Sequence, residues 1–110
     1  MDLYIGLMSG TSADAIDAAL VEISGKSVKL IGSYHLPITT NVRSAIHQLA
    51  LDYSGEIRQI RYLDKTIADL CCTAVENLCA QTGTKKAAIR AIGSHGQTVR
   101  HYPASSTEQE

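Results

Sequence analysis

The sequence predicts a mixed α/β fold, in which an antiparallel three-strand meander precedes two helices and one further strand. Three observations favour this class. Apolar residues alternate with a period of two before residue 37, recur every three or four residues between residues 42 and 78, and form a short run near residue 90. This order is not the regular alternation of a Rossmann fold, and the glycine spacing G-x-G-x-x-G is absent.

Composition narrows the class of protein further. The chain has 110 residues and a mass of 11.8 kDa, which favours a single domain. Hydrophobic residues make up 45% and charged residues 19%, so intrinsic disorder is not expected. The net charge of −1 disfavours binding to nucleic acid, and no apolar run has the length of a membrane span. The N-terminus lacks the basic region of a secretory signal, and three cysteines without zinc-ligand spacing favour reduced thiols in a cytoplasm.

The first three elements are predicted strands. Residues 3–8 alternate as a buried strand, and residues 17–24 form the second. Residues 25–26 are a short turn, which predicts an antiparallel hairpin to a third strand at residues 28–36. Pro37 ends that strand because it has no amide hydrogen to donate.

A first helix is predicted next. Thr40 or Asn41 is the expected N-cap, and Gly55 the expected end. The residues that fall on one apolar face are Val42, Ile46, Leu49 and Ala50.

The second predicted helix has the clearest periodicity in the chain, and Gly83 is expected just beyond its C-terminus. Cys71, Cys72 and Cys79 are expected as small core or boundary residues on it. A short strand at residues 88–93 follows. The apolar face of the helix comprises Ile60, Leu63, Ile67, Leu70, Ala74 and Leu78.

A small polar segment, Ser9-Gly10-Thr11-Ser12, follows the first strand. A loop that holds polyphosphate needs inward-pointing amides, small side chains and hydroxyl donors, and this segment has all three. Asp14 and Asp17 follow at a spacing that suits a phosphate-bound Mg²⁺, reached through water. The alternative is an ordinary polar hairpin turn, since the same residue types are common in turns.

A second polar segment, Ser94-His95-Gly96-Gln97-Thr98, is expected just beyond the last strand. Strand ends in α/β sheets commonly present ligand-binding groups. The Gln97 amide and the His95 ring suit a neutral, hydroxyl-rich ligand such as a sugar. The alternative is a turn in which His95 bonds to local backbone. The other histidines, including His35, have no metal-ligand spacing.

Taken together, the two polar segments resemble one family. Residues 4–12, YIGLMSGTS, followed by Asp14 and Asp17, resemble the N-terminal phosphate loop of the anhydro-N-acetylmuramic acid kinases. Residues 91–99, AIGSHGQTV, resemble the second signature of that family and stand at the expected place after the two helices. The resemblance extends over residues 3–103.

The resemblance implies the fold of the actin-like ATPases and sugar kinases, which is ribonuclease H-like, and a bacterial cytoplasmic enzyme of peptidoglycan recycling. Such kinases use ATP, Mg²⁺ and water to open 1,6-anhydro-N-acetylmuramic acid and phosphorylate its 6-oxygen, giving N-acetylmuramate 6-phosphate. The expected partners are a small amino sugar and a second copy of the chain in a homodimer, whereas nucleic acid and membrane are not expected.

The family's site residues carry over to matching positions. Asp14 and Asp17 would approach Mg²⁺ through water. The residues implied at the ATP phosphates are Gly10, Thr11, Ser12, Ala13, Asp14, Ala15, Ile16 and Asp17. Those implied near the sugar are His95, Gly96, Gln97 and Thr98.

Two positions depart from the family pattern. Ala13 stands where the family usually has Leu, and Ala15 stands where it usually has Gly. If that glycine needs a positive φ, Ala15 would cost on the order of 1 kcal/mol or distort the loop.

The family's catalytic aspartate lies beyond residue 110, so no catalytic residue is expected in this chain. Residues 1–103 are therefore expected to form part of the first lobe of the kinase fold, and residues 104–110 a frayed tail. A second hypothesis is a truncated, catalytically inactive lobe with residual phosphate or sugar binding. Such a lobe would expose a sheet face and edge and self-associate. A third is another sugar or acetate kinase, which the segment SHGQT disfavours.

Overall fold

A mixed four-strand sheet and two helices make up the described part of the protein. The structure is a computed structural model and describes residues 2–9, 13–51 and 57–97. The predicted order of elements is confirmed. The elements are β1 (Asp2–Ser9), β2 (Ala15–Ser24), β3 (Ser27–Pro37), α1 (Thr40–Leu51), α2 (Ile57–Thr82), a 3₁₀ turn (Lys86–Ala88) and β4 (Ile89–Gln97).

The strand order across the sheet is β3-β2-β1-β4. β1, β2 and β3 are antiparallel neighbours, whereas β4 lies parallel to β1. The hairpin predicted at residues 25–26 is confirmed, with Ser24 opposite Ser27 and Gly25 at a φ of +58°. The mixed sheet that the sequence predicts is therefore present.

One face of the sheet carries the main core, because the alternation of β1 and β2 directs their larger apolar side chains to the side covered by α2. Ile5, Ile16 and Leu20 are among the most deeply buried side chains in the described residues. They pack with Ala74 and Leu78 of α2 in one cluster. The opposite, open face of the sheet and the edge strand β4 expose large apolar residues, namely Met8, Val28, Leu30 and Ile92. The predicted self-association stays a prediction.

β3 changes the face to which its side chains point. Leu30 pairs with Val21, but Gly32 pairs with Leu20, so Ile31 is an extra residue in the ladder. Such a β-bulge shifts the alternation by one residue. Apolar residues before the bulge consequently lie on the open face, whereas Tyr34 and the residues in phase with it pack under α2.

Helix α2 confirms most of the predicted apolar face. Leu63, Ala74 and Leu78 are buried, Ile67 and Leu70 are half-buried, and Ile60 is exposed. Neither helix in the described ranges has an apolar stretch that could cross a membrane.

The C-terminus of α2 ends at Gly83, as predicted. Gly83 has a φ of +68°, and its N–H donates to the Ala80 carbonyl at 3.4 Å. The Thr84 N–H donates to the Cys79 carbonyl at 2.9 Å. These two bonds form a Schellman motif, which satisfies the last carbonyls of the helix and needs a left-handed residue at the position of Gly83.

The expected cap of α1 was wrong by one residue. The Val42 N–H donates to the Thr39 hydroxyl at 3.4 Å, so Thr39 caps the helix rather than Thr40 or Asn41. Ile46 and Leu49 are buried as predicted. The side chain of Ala50 and the predicted end at Gly55 lie outside the described residues, as does the tail at residues 104–110.

The three cysteines differ in environment. Cys79 is buried in the main core and Cys71 is half-buried, but Cys72 is exposed, which contradicts its expected place at the core or its boundary. Burial raises the pKa of the Cys71 thiol, and the neighbouring Cys72 contributes in the same direction. Successive residues of a helix are about 100° apart around its axis, which accounts for the different exposure of Cys71 and Cys72.

Gly32 lies against the end of α2 so closely that a side chain does not fit. A Cβ at this position would lie 2.7 Å from Cγ2 of Thr82. The Thr82 hydroxyl donates to the Leu78 carbonyl at 2.8 Å, which holds the threonine side chain in place. We expect Gly32→Ala to lower the free energy of unfolding by about 1–3 kcal/mol, measured by urea denaturation. Adding Thr82→Ser removes Cγ2 and should restore most of the lost free energy of unfolding. A double variant that is no more stable than Gly32→Ala alone would contradict the steric explanation.

Candidate functional site

The candidate site lies where β1 and β4 end. These two strands are parallel neighbours, so their carboxyl ends meet at the same edge of the sheet. Ser9 is the last residue of β1 and pairs with Gln97, the last residue of β4. Ligands in α/β sheets commonly bind outside the carboxyl ends of parallel strands.

A bulge in β4 brings Gln97 opposite Ser9. Leu7 pairs with Ser94 and Ser9 with Gln97, so β4 has one more residue than β1 over this interval. Gly96 lies in the bulge with a φ of +78°, a conformation that favours glycine. The Gly96 N–H donates to the Ser94 hydroxyl at 3.2 Å, which stabilises the bend.

A side-chain hydrogen bond joins the ends of the two strands. The Ser9 hydroxyl donates to Oε1 of Gln97. Ser9 is only 4% exposed, and it is the buried polar side chain of the described core. Its position could have been recognised from the sequence, because the alternation of β1 places Ser9 on the same buried face as Ile5 and Leu7, where a hydroxyl needs a partner.

The sequence predicted that the second polar segment is a loop beyond the last strand, and this prediction was wrong. Residues 94–97 form the last part of β4, which continues to Gln97 instead of ending at residue 93. Pairing with the end of β1 keeps this segment extended, and local sequence patterns do not report that pairing. His95 and Gly96 are exposed, Gln97 is half-buried, and Thr98 lies outside the described residues.

The first polar segment is described only in part. Gly10, Thr11 and Ser12 lie outside the described residues. The structure resumes at Ala13, which is fully buried against Ile46 and Leu49 of α1 and Leu63 of α2. The Ile38 N–H donates to the Asp14 carbonyl at 2.9 Å. The connection back to β2 is therefore anchored to the helices and to the end of β3.

The positive φ that the sequence analysis associates with position 15 occurs at Ala13 instead. Ala15 begins β2, and the described residue other than glycine with a positive φ is Ala13, at 53°. A left-handed conformation costs an L-residue roughly 1–2 kcal/mol. Burial of the Ala13 methyl against the two helices offsets part of that cost, at about 0.8 kcal/mol per methyl-sized group.

Asp17 lies on the open face of the sheet, between β1 and β3. It pairs with Met8 across one ladder and with His35 across the other. Nδ1 of His35 lies 2.6 Å from Oδ1 of Asp17, and the side chains are 66% and 64% exposed. The sequence pattern gives no signal for this contact between His35 and Asp17, because the contact depends on the register between two strands.

The described carboxylates fit a hydrated divalent cation better than a closed metal site. Asp14 and Asp17 are both exposed, and no group of three or more metal-ligating side chains occurs among the described residues. Mg²⁺ prefers oxygen ligands, keeps several of its waters and is commonly held through one or two carboxylates together with phosphate oxygens. The donor set therefore suits a cation that arrives with a phosphate.

Comparisons with known proteins point to one family. A sequence model described as anhydro-N-acetylmuramic acid kinase matches residues 2–110. Similar proteins with that name come from Shewanella oneidensis (47% identical), Shewanella loihica (43%) and Shewanella sp. strain W3-18-1 (46%). Each match covers 100 residues, which is 91% of this chain and 27% of the relative. The chain thus spans about a quarter of the length of these relatives.

Proposed function

Because the chain belongs to the anhydro-N-acetylmuramic acid kinase family, we propose that it supplies the phosphate-binding part of an ATP-dependent kinase. The reaction is the hydrolytic opening of 1,6-anhydro-N-acetylmuramic acid with phosphorylation of the 6-oxygen, giving N-acetylmuramate 6-phosphate and ADP. Its place is peptidoglycan recycling in a bacterial cytoplasm.

The observation that carries this proposal is the hydrogen bond from Ser9 to Gln97. It joins the ends of two parallel strands, and each strand forms most of a segment that resembles a family signature, residues 4–12 for β1 and residues 91–99 for β4. A kinase must hold the phosphate donor and the acceptor next to each other. Adjacent strand ends meet this requirement from a rigid part of the fold.

In this proposal, the segment from Gly10 to Asp17 binds the ATP phosphates. Backbone amides and the hydroxyls of Thr11 and Ser12 donate to phosphate oxygens. Asp14 and Asp17 hold Mg²⁺ through its waters, and the cation supplies neutralisation of charge on the phosphates. Their exposure leaves room for those waters.

The end of β4 binds the sugar. The amide of Gln97 offers both a donor and an acceptor to hydroxyl groups, and the exposed ring of His95 offers a nitrogen. The Ser9 hydroxyl fixes the orientation of the Gln97 amide, because it donates to Oε1 and so leaves the amide nitrogen at the other position. The chain's residues therefore bind and orient the two reactants.

A chimeric kinase tests the proposal. The 100 residues of this chain that match the Shewanella oneidensis relative, at 47% identity, replace the matched segment of that relative. We expect release of ADP that depends on both ATP and the anhydro sugar. A folded chimera that releases no ADP above background, beside an active parent relative, would contradict the proposal.

The isolated 110-residue chain, assayed in parallel, tests the hypothesis of an inactive lobe. That hypothesis expects binding of phosphate without turnover. Release of ADP by the isolated chain would contradict it.

A further inference from the structure

Asp17 and His35 form an exposed pair on the open face of the sheet. Nδ1 of His35 lies 2.6 Å from Oδ1 of Asp17. An ionised carboxylate has no proton to give, so the imidazole donates through Nδ1–H. Among the described residues, His35 is the side chain that contacts this carboxylate, it does so at Oδ1, and the Asp17 side chain is 64% exposed.

The pairing depends on the bulge in β3. Ser24 lies opposite Ser27 at the hairpin turn, and continuing that register without interruption would place Tyr34 opposite Asp17. The extra residue, Ile31, shifts the ladder by one and brings His35 there instead. Bulges often lie next to active sites, where they re-aim a side chain.

The pair contributes little to the stability of the fold. Its side chains are 66% and 64% exposed, and exposed ion pairs are screened by solvent. A comparable pair joins Lys65 and Asp69 on α2 at 3.1 Å, with exposures of 80% and 68%. The Asp17–His35 contact can consequently be removed without unfolding the protein, so its effect on a ligand can be measured separately.

The pair also lies beside the proposed phosphate segment. Asp17 is opposite Met8, the residue before the end of β1, and it belongs to the segment that would hold the ATP phosphates and their cation. Hydrogen bonds from neighbouring side chains orient the ligands of metal ions, and removing such a partner typically weakens metal binding by about 10–100-fold.

We propose that His35 is a positioning residue for Asp17. Its Nδ1–H holds Oδ1, which fixes the carboxylate in one orientation and leaves Oδ2 for the hydrated cation that accompanies the phosphates. This inference rests on the proposed function of the segment from Gly10 to Asp17. It adds a residue from β3, outside both signature segments, to the nucleotide site.

Titration of the 110-residue chain with Mg²⁺ and tripolyphosphate tests the inference, with binding followed through backbone amide signals in ¹H–¹⁵N spectra. His35→Phe keeps an aromatic ring and strand preference but has no donor. His35→Asn keeps a donor near the position of Nδ1. We expect His35→Phe to weaken binding about tenfold and His35→Asn to stay within about twofold of the parent chain. Lys65→Ala, which breaks the exposed pair on α2, is the matched control and should bind as the parent does.

Two results would overturn the inference while the proposed function stands: His35→Phe binding as tightly as the parent, or both His35 variants weakened equally. No binding by the parent chain would instead overturn the proposed phosphate site and the inference with it.

A ligand-free signature provides a separate check. Long-range ¹H–¹⁵N spectra of the chain without ligand should show His35 with its proton on Nδ1. In Asp17→Leu, we expect a shift towards the Nε2–H tautomer that neutral histidine prefers in water. An unchanged tautomer in Asp17→Leu would contradict the hydrogen bond on which the inference depends.

Discussion

Asp17→Asn in the chimeric kinase is expected to lower kcat/KM for ATP about 100-fold. This is the lower end of the rate loss that follows when an enzyme loses one group that stabilises charge developing in the transition state. The amide keeps the size of the side chain and an oxygen for His35, but it removes the negative charge with which Asp17 would hold the proposed cation. The fold should be unaffected, because Asp17 is 64% exposed and an exposed pair contributes about 0–1 kcal/mol. Steady-state release of ADP at varied ATP measures the effect.

Asp69→Asn is the control for that variant. Asp69 is a similarly exposed carboxylate that accepts from Lys65 on α2, so the same chemical change is made far along the chain from either polar segment. We expect no change in kcat/KM. A loss of less than about threefold for Asp17→Asn would show that this carboxylate does not serve the phosphates.

Leu78→Ala is expected to lower the free energy of unfolding by about 3 kcal/mol. Leu78 is fully buried and packs α2 against Ile5 and Leu20 of the sheet, so its removal leaves a cavity in the main core. For a domain of this size, the midpoint of thermal unfolding should fall by about 15 °C. Urea denaturation with an unchanged m-value would show that the change lies in stability and not in the compactness of the unfolded state.

Ile60→Ala on the same helix is the control for Leu78→Ala. Ile60 is 49% exposed, so its replacement by alanine removes less buried apolar surface. We expect this variant to lower the free energy of unfolding by about 1 kcal/mol or less. Equal losses for the two variants would mean that α2 does not pack on the sheet through Leu78.

Much of the fold follows from local patterns in the sequence. The period of α2 and Gly83 beyond its last turn predict the helix and its end, because burying one face and closing the last carbonyls are local requirements. The turn at residues 25–26 predicts the hairpin of β2 and β3 for a similar reason. The cap of α1 was misplaced by one residue, since several adjacent residues have suitable hydroxyl or amide side chains.

The candidate site was predicted as two segments, but the sequence did not show how they are joined. The pairing of Ser9 with Gln97 links residues that are 88 positions apart, and it extends β4 through a segment predicted as a loop. The positive φ at Ala13, rather than at Ala15, depends on two helices that pack around the methyl group. Such contacts come from tertiary packing and have no local signal.

The sequence by itself determined the order of elements, the hairpin, the long amphipathic helix and the two polar segments that identify the family. The tertiary structure alone decided which side chains meet at the site. A regular hairpin would pair Asp17 with Tyr34, but the bulge at Ile31 pairs it with His35. The physical reason is the burial of the apolar face of α2. The bulge turns Tyr34 and Leu36 towards that face, where they pack against the main core. The same shift by one residue places His35 opposite Asp17.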